Sequence, residues 1–190
     1  QAIALNQSDA RSRVLIASSY LDGNSNLAVQ ELEEALRADP KFKRAKRLLA
    51  YALGRDGRYA SAIRLIESRL KTAPRDATLH LQAGGLRTEL GQLDLAQAHY
   101  EKAVLGVGNR LQANLKLGNN LLAQVKAEEA AKKFNSVIHA RGSHSAQKAA
   151  AYVGLARSNV QRSKYQEAYA QSAKALKIFP KDLTALLIKA

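Results

Sequence analysis

The strongest constraint on this chain is that it repeats itself. Three segments close alike: Ala35-Leu36-Arg37-Ala38-Asp39-Pro40, Leu70-Lys71-Thr72-Ala73-Pro74 and Ala175-Leu176-Lys177-Ile178-Phe179-Pro180. The first two prolines stand 34 residues apart. Units begun at Asp9, Lys43, Ala77 and Leu111 place Ala28, Ala62, Ala96 and Ala130 at one shared position, the twentieth. The twenty-fourth is always large and apolar: Leu32, Ile66, Tyr100 and Phe134. The fifteenth is Gly23, Gly57 and Gly91, then Val125. A fifth unit begins four residues late at Ala149, with Ala168 at position twenty and Pro180 at thirty-two, so four residues are inserted near Arg141-Gly142-Ser143-His144-Ser145. A sixth unit opens at Leu183 and runs to Ala190. The expected organisation is one domain over 1–190, with repeats at 9–42, 43–76, 77–110, 111–148 and 149–182 and a partial unit at 183–190.

Within each unit the apolar residues recur at helical spacing in two stretches joined by a short turn. Repeat two shows Ala45, Leu48, Leu49, Ala52 and Leu53, then Gly57-Arg58-Tyr59, then Ala62, Ile63, Ile66 and Leu70. That period predicts two amphipathic helices. The glycine suits a tight turn, and the proline stands where the second helix stops, because its ring and missing N–H cannot continue it. Alanine at position twenty lets two antiparallel helices approach closely. No stretch reads as a strand. The expected fold is all-α: a right-handed superhelical solenoid of about five helical hairpins plus a partial C-terminal helix.

The composition closes off several chemistries. With no Cys among 190 residues there is no disulfide, thiolate nucleophile or cysteine-held metal. The histidines His80, His99, His139 and His144 are scattered in sequence, and His139 and His144 flank the insertion with no carboxylate or thiol nearby. Gly106-Val107-Gly108-Asn109-Arg110 resembles part of a phosphate loop, but it follows a helix and lacks the third glycine, so it reads as an inter-repeat turn. Glu128 and Glu129 open a helix, where carboxylates face the positive dipole end. No enzyme activity, cofactor or metal is expected. No apolar run is long enough to span a bilayer.

Period and pattern together resemble the tetratricopeptide repeat, over residues 9–180 and the partial sixth unit. The family's small residue at position eight is matched by Ala50, Gly84, Gly118 and Ala156, and its aromatic at seventeen by Tyr59 and Tyr165. Its tryptophan at position four is replaced by Ser12, Lys46, His80, Asn114 and Tyr152. The resemblance implies a partner-binding groove lined by the first helix of each hairpin. Carried over by position, it comprises Ala10, Arg13, Val14, Ala17, Tyr20 and Leu21. It continues with Arg44, Arg47, Leu48, Tyr51, Gly54 and Arg55, then Thr78, Leu81, Gln82, Gly85, Thr88 and Glu89. Repeat four adds Gln112, Leu115, Lys116, Asn119, Leu122 and Ala123, and repeat five Ala150, Val153, Gly154, Arg157, Val160 and Gln161. From these the candidate partner-binding residues are Arg13, Arg44, Arg47, Tyr51, Arg55, Gln82, Lys116, Asn119 and Arg157. The carboxylate clamp of chaperone-binding members is not matched: its frame falls on Arg47, Tyr51, Gln82, Gln112 and Lys116, without the two asparagines.

Charge concentrates the expectation. The chain carries 30 Lys+Arg against 16 Asp+Glu, a formal net charge of +14. Between Lys41 and Arg75 eleven basic residues face only Asp56 and Glu67. Arg44, Arg47, Tyr51 and Arg55 recur at helical spacing on one face, and guanidinium forks suit carboxylates or phosphates. The favoured reading is a non-enzymatic scaffold whose basic groove takes an acidic or amphipathic protein segment. The alternatives are capture of an anionic polymer, polysaccharide rather than nucleic acid because aromatics are only 5% and spread over five repeats, or a passive spacer. Ala- and Leu-rich repeats without Trp are similar to bacterial periplasmic repeat lipoproteins and to pilus or exopolysaccharide export proteins, which implies a periplasmic or envelope setting. Starting at Gln1, the chain reads as a piece of a longer protein. Leu183, Leu186, Leu187 and Ile188 predict an apolar end face that either associates end to end or meets further repeats.

Overall fold

A computed structural model describes residues 2–106 and 108–189, with side chains described from residue 9 onward. Gln1, Val107 in the glycine-containing turn and Ala190 at the end of the sixth unit lie outside the described residues. Among the described residues there are eleven α-helices and no strand. They are α1 (Ala2–Tyr20), α2 (Ser25–Ala38), α3 (Lys43–Arg55), α4 (Tyr59–Leu70), α5 (Ala77–Glu89), α6 (Leu93–Val104), α7 (Arg110–Ala123), α8 (Ala127–Ile138), α9 (Ser145–Gln161), α10 (Tyr165–Ile178) and α11 (Leu183–Lys189). In chain order they make five hairpins and one further helix. The chain forms two compact units, residues 1–74 and 75–190. In the first, α1 packs on α2, α2 on α3 and α3 on α4, with α1 also touching α3. In the second, each helix from α5 to α11 packs on the next, and α5 meets α7, α7 meets α9 and α9 meets α11.

The repeated residues hold the hairpins for plain steric reasons. Ala28, Ala62, Ala96 and Ala130 are completely buried, so no side chain separates the paired helices. In the second unit the large residue at position twenty-four fills a hollow that only glycine leaves open. A Cβ on Gly84 would lie 2.5 Å from the Tyr100 ring, and one on Gly118 would lie 2.7 Å from the Phe134 ring. A Cβ on Gly154 of α9 would come closer still, 2.3 Å from the same ring. Phe134, fully buried, is therefore clasped between two glycines of α7 and α9. Amide side chains tie consecutive hairpins together: Asn120 Nδ2 donates to Leu93 O (3.0 Å) and Gln161 Nε2 to Leu122 O (3.0 Å). Asp76 caps α5, its carboxylate accepting from the N–H groups of Thr78 (2.9 Å) and Leu79 (3.1 Å).

The turns explain position fifteen. Gly57 (φ 77°) and Gly91 (φ 70°) are left-handed there, as are Val125 (φ 60°) and Ser163 (φ 57°) in repeats four and five. The geometry demanded is the same in all four, and two of the residues meet it against their own preference. Repeat one differs. Its turn runs over residues 21–24, one residue longer than 56–58 or 90–92, and Gly23 is not left-handed. Helix α1 consequently sits one residue out of frame. It buries Ala10, Val14 and Ala17, where α3 buries Ala45, Leu49 and Ala52 at positions three, seven and ten.

The insertion in repeat four is a helical turn. The α8–α9 connection spans residues 139–144, as long as the α4–α5 connection at 71–76. The four extra residues extend α9 to 17 residues, against 13 in α3 and α5. Prolines end helices as expected: Asp39 and Phe179, the residues before Pro40 and Pro180, are extended (φ −136° and −129°). At the last helix, Leu183 and Leu187 are 76% and 78% exposed. No helix of the described residues is long and apolar enough to cross a membrane.

Candidate partner-binding faces

On α3 the alternation of basic and apolar residues buries Ala45, Leu49, Ala50, Ala52 and Leu53 and leaves Arg44, Arg47, Tyr51 and Arg55 exposed. At 100° per residue these four fall within an arc of about 80°, and at 1.5 Å per residue they span about 16 Å. Tyr51 is 44% exposed between arginines a turn away on either side. None of the three arginines bonds a carboxylate among the described residues. The neighbouring acids are already engaged: Glu33 with Arg58 at 3.7 Å, Glu34 with Arg37, and Glu31 with Arg13 at 3.1 Å. The ladder is thus an uncompensated row of planar donors, suited to bidentate capture of carboxylates.

The other expected groove residues divide. Arg13 donates from Nε to Asp9 (3.0 Å) and from Nη1 to Glu31 (3.1 Å). Asp9 first, then Glu31, hold its guanidinium more firmly protonated than usual, so Arg13 is a neutralised link between α1 and α2. Ala10, Val14 and Ala17 are core residues because of the frame shift, which brings Ile16 (44% exposed) to the outward side instead. Leu115 and Leu122 are buried too, and Gly154 is the notch for Phe134. In the second unit Lys116, Asn119 and Arg157 are exposed on the contacting helices α7 and α9. Gln82 on α5 is half-buried, with its Oε1 buried and without a hydrogen-bond partner.

Two groupings escape the repeat-by-repeat reading. His80 and His99, nineteen residues apart, meet across the α5–α6 hairpin with Nδ1 atoms 3.0 Å apart. Antiparallel pairing of positions four and twenty-three would have shown this. No group of three or more His, Cys, Asp or Glu gathers as for a metal ion among the described residues. The charge is also not confined to repeat two. From Ala130 to Gln166 there is no Asp or Glu, and from Ala130 to Lys181 ten basic residues face Glu167 alone. That stretch equals the 41–75 segment in net charge, and totals taken repeat by repeat hide it.

Solved structures share this arrangement of helices. A tetratricopeptide repeat protein from Parabacteroides merdae superposes with a TM-score of 0.79 at 18% identity, covering 96% of this chain and 71% of that one. YrrB, described as a TPR protein with an unusual peptide-binding site, superposes at 0.72 with 22% identity, covering 99% and 95%. Pseudomonas aeruginosa pilF superposes at 0.77 with 18% identity, covering 96% and 82%. At these identities the likeness shows the fold. No curated protein sequence matches the chain. The tetratricopeptide repeat family model matches residues 16–77 and 115–182, well over half the length. With its period, buried alanines and left-handed turns, the chain belongs to the tetratricopeptide repeat family, whose fold serves as a scaffold for protein–protein interaction.

Proposed function

We propose that this protein is a non-enzymatic scaffold that holds an acidic or amphipathic segment of a protein partner on α3. The observation that carries the reading is the row Arg44, Arg47, Tyr51 and Arg55, exposed, aligned and without a carboxylate partner among the described residues. A helical or extended segment with acids one turn or two residues apart would meet successive guanidinium groups, and the tyrosine would cover its apolar positions. Lys116, Asn119 and Arg157 offer a smaller polar face of the same sign on the second unit. The peptide-binding site named for YrrB makes a peptide partner a natural choice for this fold. A setting in a bacterial envelope secretion or biogenesis assembly is the corresponding proposal for where the partner is found.

The test is fluorescence anisotropy with a labelled twelve-residue peptide of alternating Glu and Leu, comparing the native protein with an Arg44→Ala/Arg47→Ala/Arg55→Ala variant. All three side chains are exposed, so the variant keeps its fold, which circular dichroism checks. Charge-assisted hydrogen bonds to exposed sites contribute about 1 kcal/mol each, so the variant binds at least tenfold more weakly. Equal binding by both proteins refutes the assignment to α3.

A further inference from the structure

We propose that α9, α10 and α11 form a second binding surface, independent of α3, for a carboxylate-bearing polysaccharide. The first observation is electrostatic. Among the described residues, of the ten basic residues between Ala130 and Lys181 only Arg162 bonds a carboxylate, donating to Glu128 at 3.1 Å. The single acid in the stretch, Glu167, lies in the first turn of α10, where the helix dipole already favours it. Asp182, just beyond, is engaged as the cap of α11, accepting from the Ala185 N–H at 2.8 Å. Among the described residues the other nine cations have no carboxylate partner, and a surface of one sign raises the local concentration of an opposite one.

The second observation is where the aromatic residues lie. Of seven Tyr and three Phe in the chain, Tyr152, Tyr165, Tyr169 and Phe179 fall within this one hairpin and its exit. Lys174 Nζ stands 5.7 Å from the Tyr152 ring centre, joining the N-terminal half of α9 to the C-terminal half of α10. Lys148 is one turn before Tyr152, and Lys177 three residues after Lys174, so the four form a continuous band across the hairpin. Tyr165 and Tyr169, 66% and 50% exposed, are one turn apart on α10, and Lys189 of α11 lies over Tyr169 at 5.6 Å. Lys177 stands about 12 Å beyond Tyr169 and about 80° round the helix, so a polymer crossing the outer face of α10 meets both.

The residue types select the polymer. Of the eight cations from α9 to α11, six are lysines, compact point charges, whereas phosphate and nucleic-acid recognition favours the planar arginine fork. The α3 ladder, by contrast, is all arginine. Exposed tyrosines offer flat apolar faces for the C–H sides of sugars and hydroxyls for their oxygens. Lysines spaced around them match carboxylates carried at intervals along a chain.

Binding of polygalacturonate, of a twenty-residue single-stranded oligothymidylate and of polyglutamate is measured at several salt concentrations. The native protein is expected to bind polygalacturonate more tightly than the other two, with affinity that falls as salt rises. A Lys148→Ala/Lys174→Ala/Lys177→Ala variant loses about tenfold or more of that affinity and flattens the salt dependence. A Tyr165→Ala/Tyr169→Ala variant weakens polygalacturonate more than polyglutamate. The α3 triple variant leaves polygalacturonate binding unchanged, so this surface and the α3 reading fail separately. Tighter binding of the oligothymidylate overturns the choice of polymer. Absence of polygalacturonate binding at low salt, or equal binding by the lysine variant, overturns the surface.

Discussion

Gly154→Ala isolates the packing logic of the second unit in a single methyl group. An ordinary helix-interior Gly→Ala change stabilises by about 1 kcal/mol, because alanine restricts the unfolded chain and favours the helix. At Gly154 the new Cβ would overlap the Phe134 ring at Cε1 and Cζ, the same atoms that Gly118 of α7 approaches, and the ring is fully buried, so it has little room to retreat. Overpacking of this kind costs about 1–3 kcal/mol, so the net expectation is a loss of up to about 2 kcal/mol. Gly85 on α5 supplies the control: its Cβ would meet nothing within 4 Å, so Gly85→Ala is expected to gain about 1 kcal/mol. Urea unfolding followed by circular dichroism should separate the two variants by about 1–3 kcal/mol. Phe134→Leu in the Gly154→Ala background should recover part of the loss, giving non-additivity of about 1 kcal/mol, as expected for residues in contact. Equal stability of the two alanine variants, or strict additivity with Phe134→Leu, would refute the clasp.

Val125 is β-branched at φ 60°, where glycine is at ease, so Val125→Gly should raise stability by about 1 kcal/mol despite lying in an exposed turn; a lower melting temperature would contradict this. Asp76→Ala removes the cap from two N–H groups of α5 and should cost about 1 kcal/mol, with faster amide exchange at Thr78 and Leu79 as the site-specific sign. Tyr100 is held above its usual pKa by burial first, with the Thr88 hydrogen bond opposing and Glu89 assisting. Its folded value being the higher, it contributes stability that is fully present below pH about 10 and is lost as pH rises through the folded value. Alkaline unfolding should therefore be less steep in Tyr100→Phe, and identical curves would remove Tyr100 from the account.

Much of the fold was legible because position twenty and position twenty-four obey sterics that composition cannot blur: alanine where helices touch, a large side chain where glycine yields. The first repeat was not, and the reason is local. Gly23 stands where Gly57 and Gly91 stand, so counting from helix α2 looks faultless, yet the longer turn displaces α1 by one residue and moves Ala10, Val14 and Ala17 into the core. The start of α9 was not legible as helix from the repeat frame, although Ser145-Ala146-Gln147-Lys148 continues a helix without any breaker. Gly154 resembled a bare groove position, since sequence cannot show which side of a helix a distant phenylalanine approaches. Of the candidate faces, the α3 ladder followed directly from spacing. Arg13 did not, because its two carboxylate partners lie on different helices. The carboxylate-free stretch after Ala130 was visible to simple counting, but only when repeat boundaries were ignored.

The two irregular repeats also mark where this architecture can change length over evolutionary time. Four added residues at the start of α9 overshoot one helical turn by only about 40°, so everything after them keeps nearly its original angular setting. One added residue is accepted in repeat one because it falls in the turn, where the offset is taken up before α2 begins. A two-residue insertion inside a helix would instead swing the apolar stripe about 160° and expose it. Related chains should therefore differ in length by whole turns at helix starts or by single residues at turns, and the start of α9 is the natural point at which to graft a reporter sequence.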